Sequence, residues 1–374
     1  MSVFLLILGL VLFVGLVVVH EYGHFIMARR GGVDVEEFGI GFPPQAKVIT
    51  KKNGTVYTLN WLPLGGFVKL KGENDADTAP GSFGAATTST KVKIMVAGVV
   101  MNLLTAFVML TFLALIGTPK LIENQFTVPS DTHVVRQDVL AGLVEESSPA
   151  AQGGVTQRDQ LLRISNNKES SQITSADRLP VLTKQYQGQD VQLTVKRGGV
   201  EKDLNVTLRT QQEVEASQQT DSPKGYMGIV PTEYIVQRST WSAPIVAAGF
   251  IKQVTVLTFQ GLGTAISSLF QGDSAKASAQ VAGPVGIFVL LKDGSMLGIQ
   301  FILMIIAIIS LTLAIMNALP IPALDGGRLF VMLAFRAARK PLKESTENLI
   351  HGTGFAVLMV LFVLITIVDV KRFF

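Results

Sequence analysis

The sequence predicts a polytopic α-helical membrane protein that carries a soluble α+β insert, and three observations predict it. Of 374 residues, 48% are hydrophobic and only 16% are charged, which with a mean hydropathy of +0.42 is too apolar for an ordinary soluble chain. Four apolar runs reach the length needed to cross a bilayer. Between the second and third of them, from about Val128 to Thr210, the chain turns polar and its apolar residues come in short alternating segments. The net charge of +4 and pI of 9.2 give no sign of nucleic-acid binding, because the basic residues lie mostly beside apolar runs. Cysteine is absent, which excludes disulfides, thiolate metal sites and a cysteine nucleophile.

The first run, about Val3 to Met27, carries no charge before Glu21 and is followed by Arg29-Arg30. It lacks a basic leader and a small-x-small cleavage site, so it reads as a retained helix. Ile94–Ile116, Leu297–Leu319 and about Leu349–Val368 complete four spans. The connection after the first carries nine basic residues from Arg29 to Lys93, and that after the third carries Arg328, Arg336, Arg339, Lys340 and Lys343. By the positive-inside rule both connections face the cytoplasm, and the termini and central region face outward. Ala243–Phe270 is also apolar, but it holds Lys252, Gln253 and Gln260, and Val246, Phe250, Val254 and Leu257 recur at helical spacing. That pattern fits an amphipathic helix lying on the membrane better than a fifth span.

In the insert, Val191–Val195 and Leu204–Leu208 read as strands joined by a turn at Gly198-Gly199. Upstream come Leu140–Val144, then Ser148-Pro149-Ala150-Ala151, then Arg158-Asp159 leading into Leu161–Ile164. This order resembles a PDZ domain of the circularly permuted bacterial type, although the usual Gly-Asp is Arg158-Asp159 here. Such domains accept an extended peptide by strand addition. Gln211–Lys224, rich in Gln, Ser and acidic residues, reads as a linker or exposed loop.

The chemistry concentrates in His20-Glu21-Tyr22-Gly23-His24. On a helix, residues four apart share a face, so two imidazoles can converge on one divalent metal while Glu21 acts as the base for water. The chain has only four histidines and two of them make this motif. Ionisable side chains at the edge of a membrane-length run are costly and by default functional. A catalytic zinc site needs a third protein ligand. Asn317-Ala-Leu-Pro-Ile-Pro-Ala-Leu-Asp325-Gly-Gly-Arg328 supplies one: two prolines end the third span, and Asp325 follows on the side already assigned to the His pair. The plainer alternative is that Asp325 caps the next helix.

Taken together, His-Glu-x-x-His in the first span, Pro63-Leu-Gly-Gly-Phe-Val-Lys69, the PDZ-like insert and the Asn317–Gly327 segment resemble the site-2 protease family, intramembrane zinc metalloproteases, over nearly the whole chain. The bacterial regulators of sigma-E proteolysis are the branch it looks most like, in a single-PDZ form. The resemblance implies that His20, His24 and Asp325 hold one Zn2+ and that Glu21 is the catalytic base. It implies that Gly65, Gly66, Phe67, Val68 and Lys69 belong to a membrane-re-entrant β-hairpin that holds substrate as an added strand, and that Asn317 handles the unwound substrate. Thr312 stands where the family often has a second asparagine. Ala97-Gly-Val-Val-Met-Asn102 lacks the proline of the family's second-span motif, and Asn102 reads as a residue that only cross-links helices. Gly283-Pro284-Val285-Gly286 also resembles the family, without an evident role; His133 and His351 match no ligand pattern and read as structural.

The fold class that results is four transmembrane helices, a re-entrant β-hairpin and an extracytoplasmic α+β PDZ insert. Its parts are residues 1–119 (first two spans and hairpin), 120–230 (PDZ domain and linker) and 231–374 (amphipathic helix and last two spans). The expected partners are single-pass transmembrane protein substrates, of anti-sigma-factor or signal-peptide-remnant type, membrane lipid, and a peptide or C-terminal tail at the PDZ domain; nucleic acid is not among them. The expected location is the bacterial cytoplasmic membrane, with the active site towards the cytoplasm. Two rivals stand beside this reading: a membrane zinc peptidase acting on exported or lipidated peptides, and a scaffold whose metal is structural.

Overall fold

An apolar helix that needs no partner for its backbone is the first element of the chain, as the sequence requires of a span. A computed structural model describes residues 2–166, 168–219 and 223–374. Helix α1 runs over Ser2–Arg30. Strands β1 (Val35–Lys52) and β2 (Thr55–Leu70) follow, joined at Asn53-Gly54, both with positive φ, the pairing that suits a two-residue hairpin turn. The two strands are too long to stay straight, and they fold back on themselves. Glu37–Ile40 is flanked on one side by Val56–Leu59 and on the other by Gly66–Lys69, while Lys47–Lys52 pairs with Thr55–Leu59. Gly66–Leu70 is therefore an edge segment. Phe42, Ile49, Trp61 and Leu62 are exposed around the fold-back.

Helix α2 (Thr88–Ile116) is capped by the Thr87 hydroxyl, which accepts from the Thr90 N–H. After β3 (Thr118–Pro119) the chain enters the insert: β4 (His133–Val144), α3 (Pro149–Gln152), β5 (Gln160–Ser165), β6 (Ser170–Gln172), α4 (Arg178–Gln185), β7 (Asp190–Arg197), β8 (Val200–Thr207), α5 (Gln211–Ser217) and β9 (Ile229–Arg238). Helices α6 (Ala243–Phe270), α7 (Ser274–Ala279), α8 (Pro284–Gly294), α9 (Ile299–Ala318), α10 (Asp325–Ala337) and α11 (Glu344–Phe373) complete the chain.

These elements form two units, one of residues 1–118, 125–128 and 240–374, the other of residues 119–124 and 129–239. The second unit is one sheet in the order β3-β9-β4-β5-β7-β8, with β6 paired to β5. Its core is built from Val139, Leu161, Ile164, Leu182, Tyr186, Leu193 and Val195, among others. The strand expected at Val191–Val195 lies in β7 and that expected at Leu204–Leu208 falls on β8, which ends one residue earlier at Thr207; Ser148 caps α3 through the Ala151 N–H. Arg158, where a glycine is usual, has φ 72°, the left-handed region that favours glycine. Two expectations need revision here. Gln211–Ser217 is a helix with a capping box between Thr210 and Glu213, not loop; Thr220, Asp221 and Ser222 lie outside the described residues. The unit also runs to Ser239, because β9 adds to the sheet beside β4, and polar composition alone does not reveal such a pairing.

In the first unit α2 lies beside both α1 and α9. Leu5, Leu16, Leu291, Ile302, Ile305 and Ile306 form one apolar cluster, and Ala28, Val33, Val35, Ile94, Met95 and Met332 another. Among the described residues five helices, not four, are long and apolar enough to cross a membrane: α1, α2, α6, α9 and α11. In α6 the expected stripe Val246, Phe250 and Val254 is buried, while Leu257 is exposed. Helix α11 is largely exposed along its length, yet its ends are tied. Glu347 accepts from the Asp75 N–H at 2.9 Å, and Asp369 accepts from the Gly283 and Gly286 N–H groups at 2.8 and 2.7 Å. A Cβ at Gly283 would lie 2.9 Å from that carboxylate, which gives the Gly283–Gly286 segment a physical reason.

Candidate metal centre

His20 and His24 are one helical turn apart on α1 and both are buried. Their Nε2 atoms lie 3.2 Å apart, and Asp325 Oδ2 lies 3.0 Å from the first and 3.1 Å from the second. A tetrahedral zinc with bonds of about 2.0–2.1 Å has ligand–ligand edges of about 3.3 Å, so the three atoms outline one face of such a site. The His24 Nδ1–H donates to the Ile94 carbonyl at 2.7 Å. In the neutral ring this leaves the Nε2 lone pair facing a carboxylate oxygen, and the two need a shared cation between them. Helix α2 makes room for one. A Cβ at Gly98 would lie 2.7 Å from His20 Nε2 and closer still to His24 Nε2. The close approach of α1 and α2 also explains the glycine inside the motif, since a Cβ at Gly23 would lie 2.7 Å from the Ala97 carbonyl oxygen. Donor set, spacing and open cradle fit a bound zinc ion.

Asp325 arrives by a compressed turn. Pro320 and Pro322 end α9, Ala323 takes φ 78°, and α10 folds back over the turn. A Cβ at Gly326 would lie 2.5 Å from the Leu319 carbonyl oxygen, and one at Gly327 would lie 2.8 Å from the Pro322 nitrogen, so both positions require glycine. Asp325 is the first residue of α10, whose N-cap is Leu324 with no side-chain cap. The capping alternative therefore fails, and the carboxylate turns to the imidazoles instead. His351 proves structural, as expected: its Nδ1 accepts from the Ala323 N–H at 3.3 Å, and a Cβ at Gly354 on the same helix would lie 2.5 Å from Pro322.

Glu21 stands beside the triad, with the Val68 backbone N–H directed at its carboxylate. A cavity of about 400 Å³ opens here, lined by Glu21, His24, Asp325 and Arg328 and by Phe67–Leu70 along the edge segment. A Cβ at Gly66 would lie 3.4 Å from Glu21 Cγ, so this glycine lets the edge come close to α1. Gly65 has φ 146° and leaves space for the Phe42 ring. Lys69 pairs with Glu36 at 3.0 Å. Asn317, by contrast, is partly buried in the last turn of α9 and does not line this cavity.

Sequence reasoning missed one neighbour of the ligands in its proper role. Asn102 on α2 is only 1% exposed, and its carboxamide lies 3.3 Å from His20 Nδ1. If His20 binds metal through Nε2, its Nδ1 carries the proton, so Asn102 must offer oxygen to it. The amide placed the other way leaves Oδ1 buried without a partner, and exchanging the amide's two ends gives that oxygen the His20 Nδ1–H as its donor. The Ser310 hydroxyl donates to the Asn102 carbonyl at 2.8 Å, so the cross-link between α2 and α9 exists too. Its backbone makes that link, and its side chain serves the histidine.

The family model for "Peptidase family M50" matches residues 8–361. A protein of Clostridium perfringens, whose name marks it as a candidate zinc metalloprotease, is 32% identical over 98% of both chains. The zinc metalloprotease RasP of Geobacillus kaustophilus is 28% identical over 98% of this chain and 97% of its own, and the probable protease eep of Enterococcus faecalis 26% over 96% and 97%. A family model that matches almost the whole chain, and relatives aligned over nearly their full length, leave one conclusion: this chain is a member of peptidase family M50.

Proposed function

We propose that the chain is an intramembrane zinc metalloendopeptidase that cleaves single-span transmembrane proteins near the cytoplasmic face, the second cut of regulated intramembrane proteolysis. The carrying observation is the convergence of His20, His24 and Asp325 within 3.2 Å of one another, beside Glu21 and beneath a β-edge. His20, His24 and Asp325 hold zinc, which supplies Lewis-acid polarisation of the scissile carbonyl and acidifies water. Glu21 takes the proton from water and passes it to the leaving amine.

A helical substrate hides its peptide bonds, so it must unwind and find new backbone partners. Gly66–Leu70 is paired on one side only, lines the catalytic cavity through Phe67–Leu70 and offers those partners as an added strand. Asn317 is a further contact for the unwound segment, reached only if substrate extends past the cavity. The basic residues of the two connections support an orientation with the site towards the cytoplasm. Helix α6 rests on the membrane and the other four apolar helices span it. The second unit is a PDZ domain on the outer side that excludes substrates still carrying a bulky outer domain.

The test is Glu21→Gln in the purified chain, with bound zinc and cleavage of a single-span reporter measured beside wild type. Zinc retained with cleavage abolished is the expected result; unchanged cleavage overturns the mechanism. A short soluble peptide cleaved as fast as the single-span reporter favours the exported-peptide rival.

A further inference from the structure

On the face of α1 opposite the metal ligands lies a second cavity, of about 470 Å³, lined by Tyr22, Phe25, Ile26, Arg30, Lys52 and Tyr57. Helix geometry, about 100° per residue, sets Tyr22 some 200° from both His20 and His24, so the helix itself separates the two sites. The cavity is built where the basic end of α1 meets the Asn53-Gly54 turn. Arg29 Nη1 donates to the Asn53 carbonyl at 2.8 Å and pins the turn to the helix. Tyr22 stacks on Phe25 with centroids 6.1 Å apart, and Phe25 meets Tyr57 at 6.2 Å. No acidic side chain lines this space. Arg30 and Lys52 are exposed and form no ion pair among the described residues.

Uncompensated cations at the end of an apolar span attract anionic headgroups. A further feature makes the occupant a lipid. Val11, Gly15, Val18 and Tyr22 fall on one stripe of α1 leading away from the cations into the span. Val11 is exposed, and nothing stands within 4 Å of where a Gly15 Cβ would sit, so the stripe carries a notch. We propose that this cavity binds the phosphodiester headgroup of an anionic phospholipid of the surrounding bilayer, with one acyl chain laid along the Val11–Tyr22 stripe. The headgroup bridges Arg30 on α1 and Lys52 on the hairpin, and so helps fix the hairpin that carries Gly66–Leu70.

The test reconstitutes the full chain in nanodiscs and measures retention of labelled phosphatidylglycerol against phosphatidylcholine for wild type, Arg30→Gln/Lys52→Gln and Lys93→Gln. Each cation near the surface contributes roughly fivefold, so wild type and Lys93→Gln should prefer phosphatidylglycerol by about 30-fold and the double variant by little. Zinc content and melting temperature of each variant confirm that both substituted positions, exposed as they are, leave the fold intact. Equal preference in wild type and double variant overturns the proposal, as does an equal loss in Lys93→Gln, which would mean general surface charge. Displacement of the lipid by millimolar inorganic phosphate overturns the lipid as occupant and leaves a free-anion site.

Discussion

Asn102→Leu removes the partner of His20 Nδ1 while nearly conserving volume, and it isolates one interaction of the metal centre. Loss of an outer partner of a metal-ligating histidine lowers metal affinity about 10–100-fold, or roughly 1.4–2.7 kcal/mol. Two features of the contact place it within that range. Its 3.3 Å length weakens it, whereas the 1% exposure of Asn102 denies His20 any water as a substitute. An intermediate loss of about 30-fold is expected. The backbone carbonyl that accepts from Ser310 is unchanged, so the α2–α9 link should survive. The assay is competition for Zn2+ by a chelator of known affinity, with the Co2+-substituted absorption spectrum reporting ligand geometry. Asn102→Asp supplies the control: an acceptor remains, so affinity should stay near wild type or rise. The reasoning is refuted if the leucine variant binds zinc within about twofold of wild type, or if the aspartate variant falls with it.

Gly98→Ala should abolish stoichiometric zinc, measured by metal analysis of the purified chain, because its methyl occupies the cradle against both Nε2 atoms; Gly263→Ala, with nothing within 4 Å, should bind normally. Asp159 in the second unit is buried, which raises its pKa, but two bonds from Arg197 and those from Thr156 outweigh burial and hold it below the usual carboxylate range. The unfolded chain thus takes up the proton first on acidification. The stabilisation is complete above the unfolded pKa of about 4 and is lost as pH falls through the folded value. Amide-exchange protection of β5 and β7 should fall in that window, and Asp159→Asn should flatten the fall. Asp369→Ala leaves the Gly283 and Gly286 N–H groups unpaired and should cost about 2–6 kcal/mol locally, read as faster amide exchange in α8 with zinc content unchanged.

Much of the candidate site is legible because it is local in sequence. The His pair follows from the 3.6-residue period of α1, and a short turn bounded by prolines ties Asp325 to the end of α9. The strands β7 and β8 follow from alternation and the Gly198-Gly199 turn in the same way. What is illegible depends on close approach between distant segments. Nothing near Gly98 or Gly354 in the sequence marks them as contact points with His20 and Pro322, since a glycine in a span reads equally as a packing notch or as a weak position. The fold-back of β1 and β2 into four short segments is decided by pairing between Glu37–Ile40 and two different partners, which alternation cannot rank. Lys91 carries the same lesson for charge. Counted among the residues that set topology, it is 1% exposed and paired with Asp75, so its charge serves packing as well as orientation.

Asp325, the proposed third ligand, shows why such a centre is built across several elements and not on α1 alone. Two imidazoles on one straight helix converge without help, but a carboxylate from another helix must be carried to them and held. Each step of that delivery is independently anchored: the prolines stop α9, Gly326 and Gly327 let α10 lie against the turn, and His351 and Gly354 of α11 clasp Ala323 and Pro322. Asp75 then receives Lys91 and Arg336 while its N–H bonds Glu347, joining the loop after the hairpin to α2, α10 and α11. A metal held by His20 and His24 of α1 and Asp325 of α10 would therefore draw on contacts from α2, the hairpin loop and α11 as well. Metal binding in such a site is also folding energy for the segments that deliver its ligands. The edge segment Gly66–Leu70 lies inside that braced frame, where Val68 N–H already faces Glu21. Rigidity of the metal centre and registration of the strand beside it thus have the same physical source.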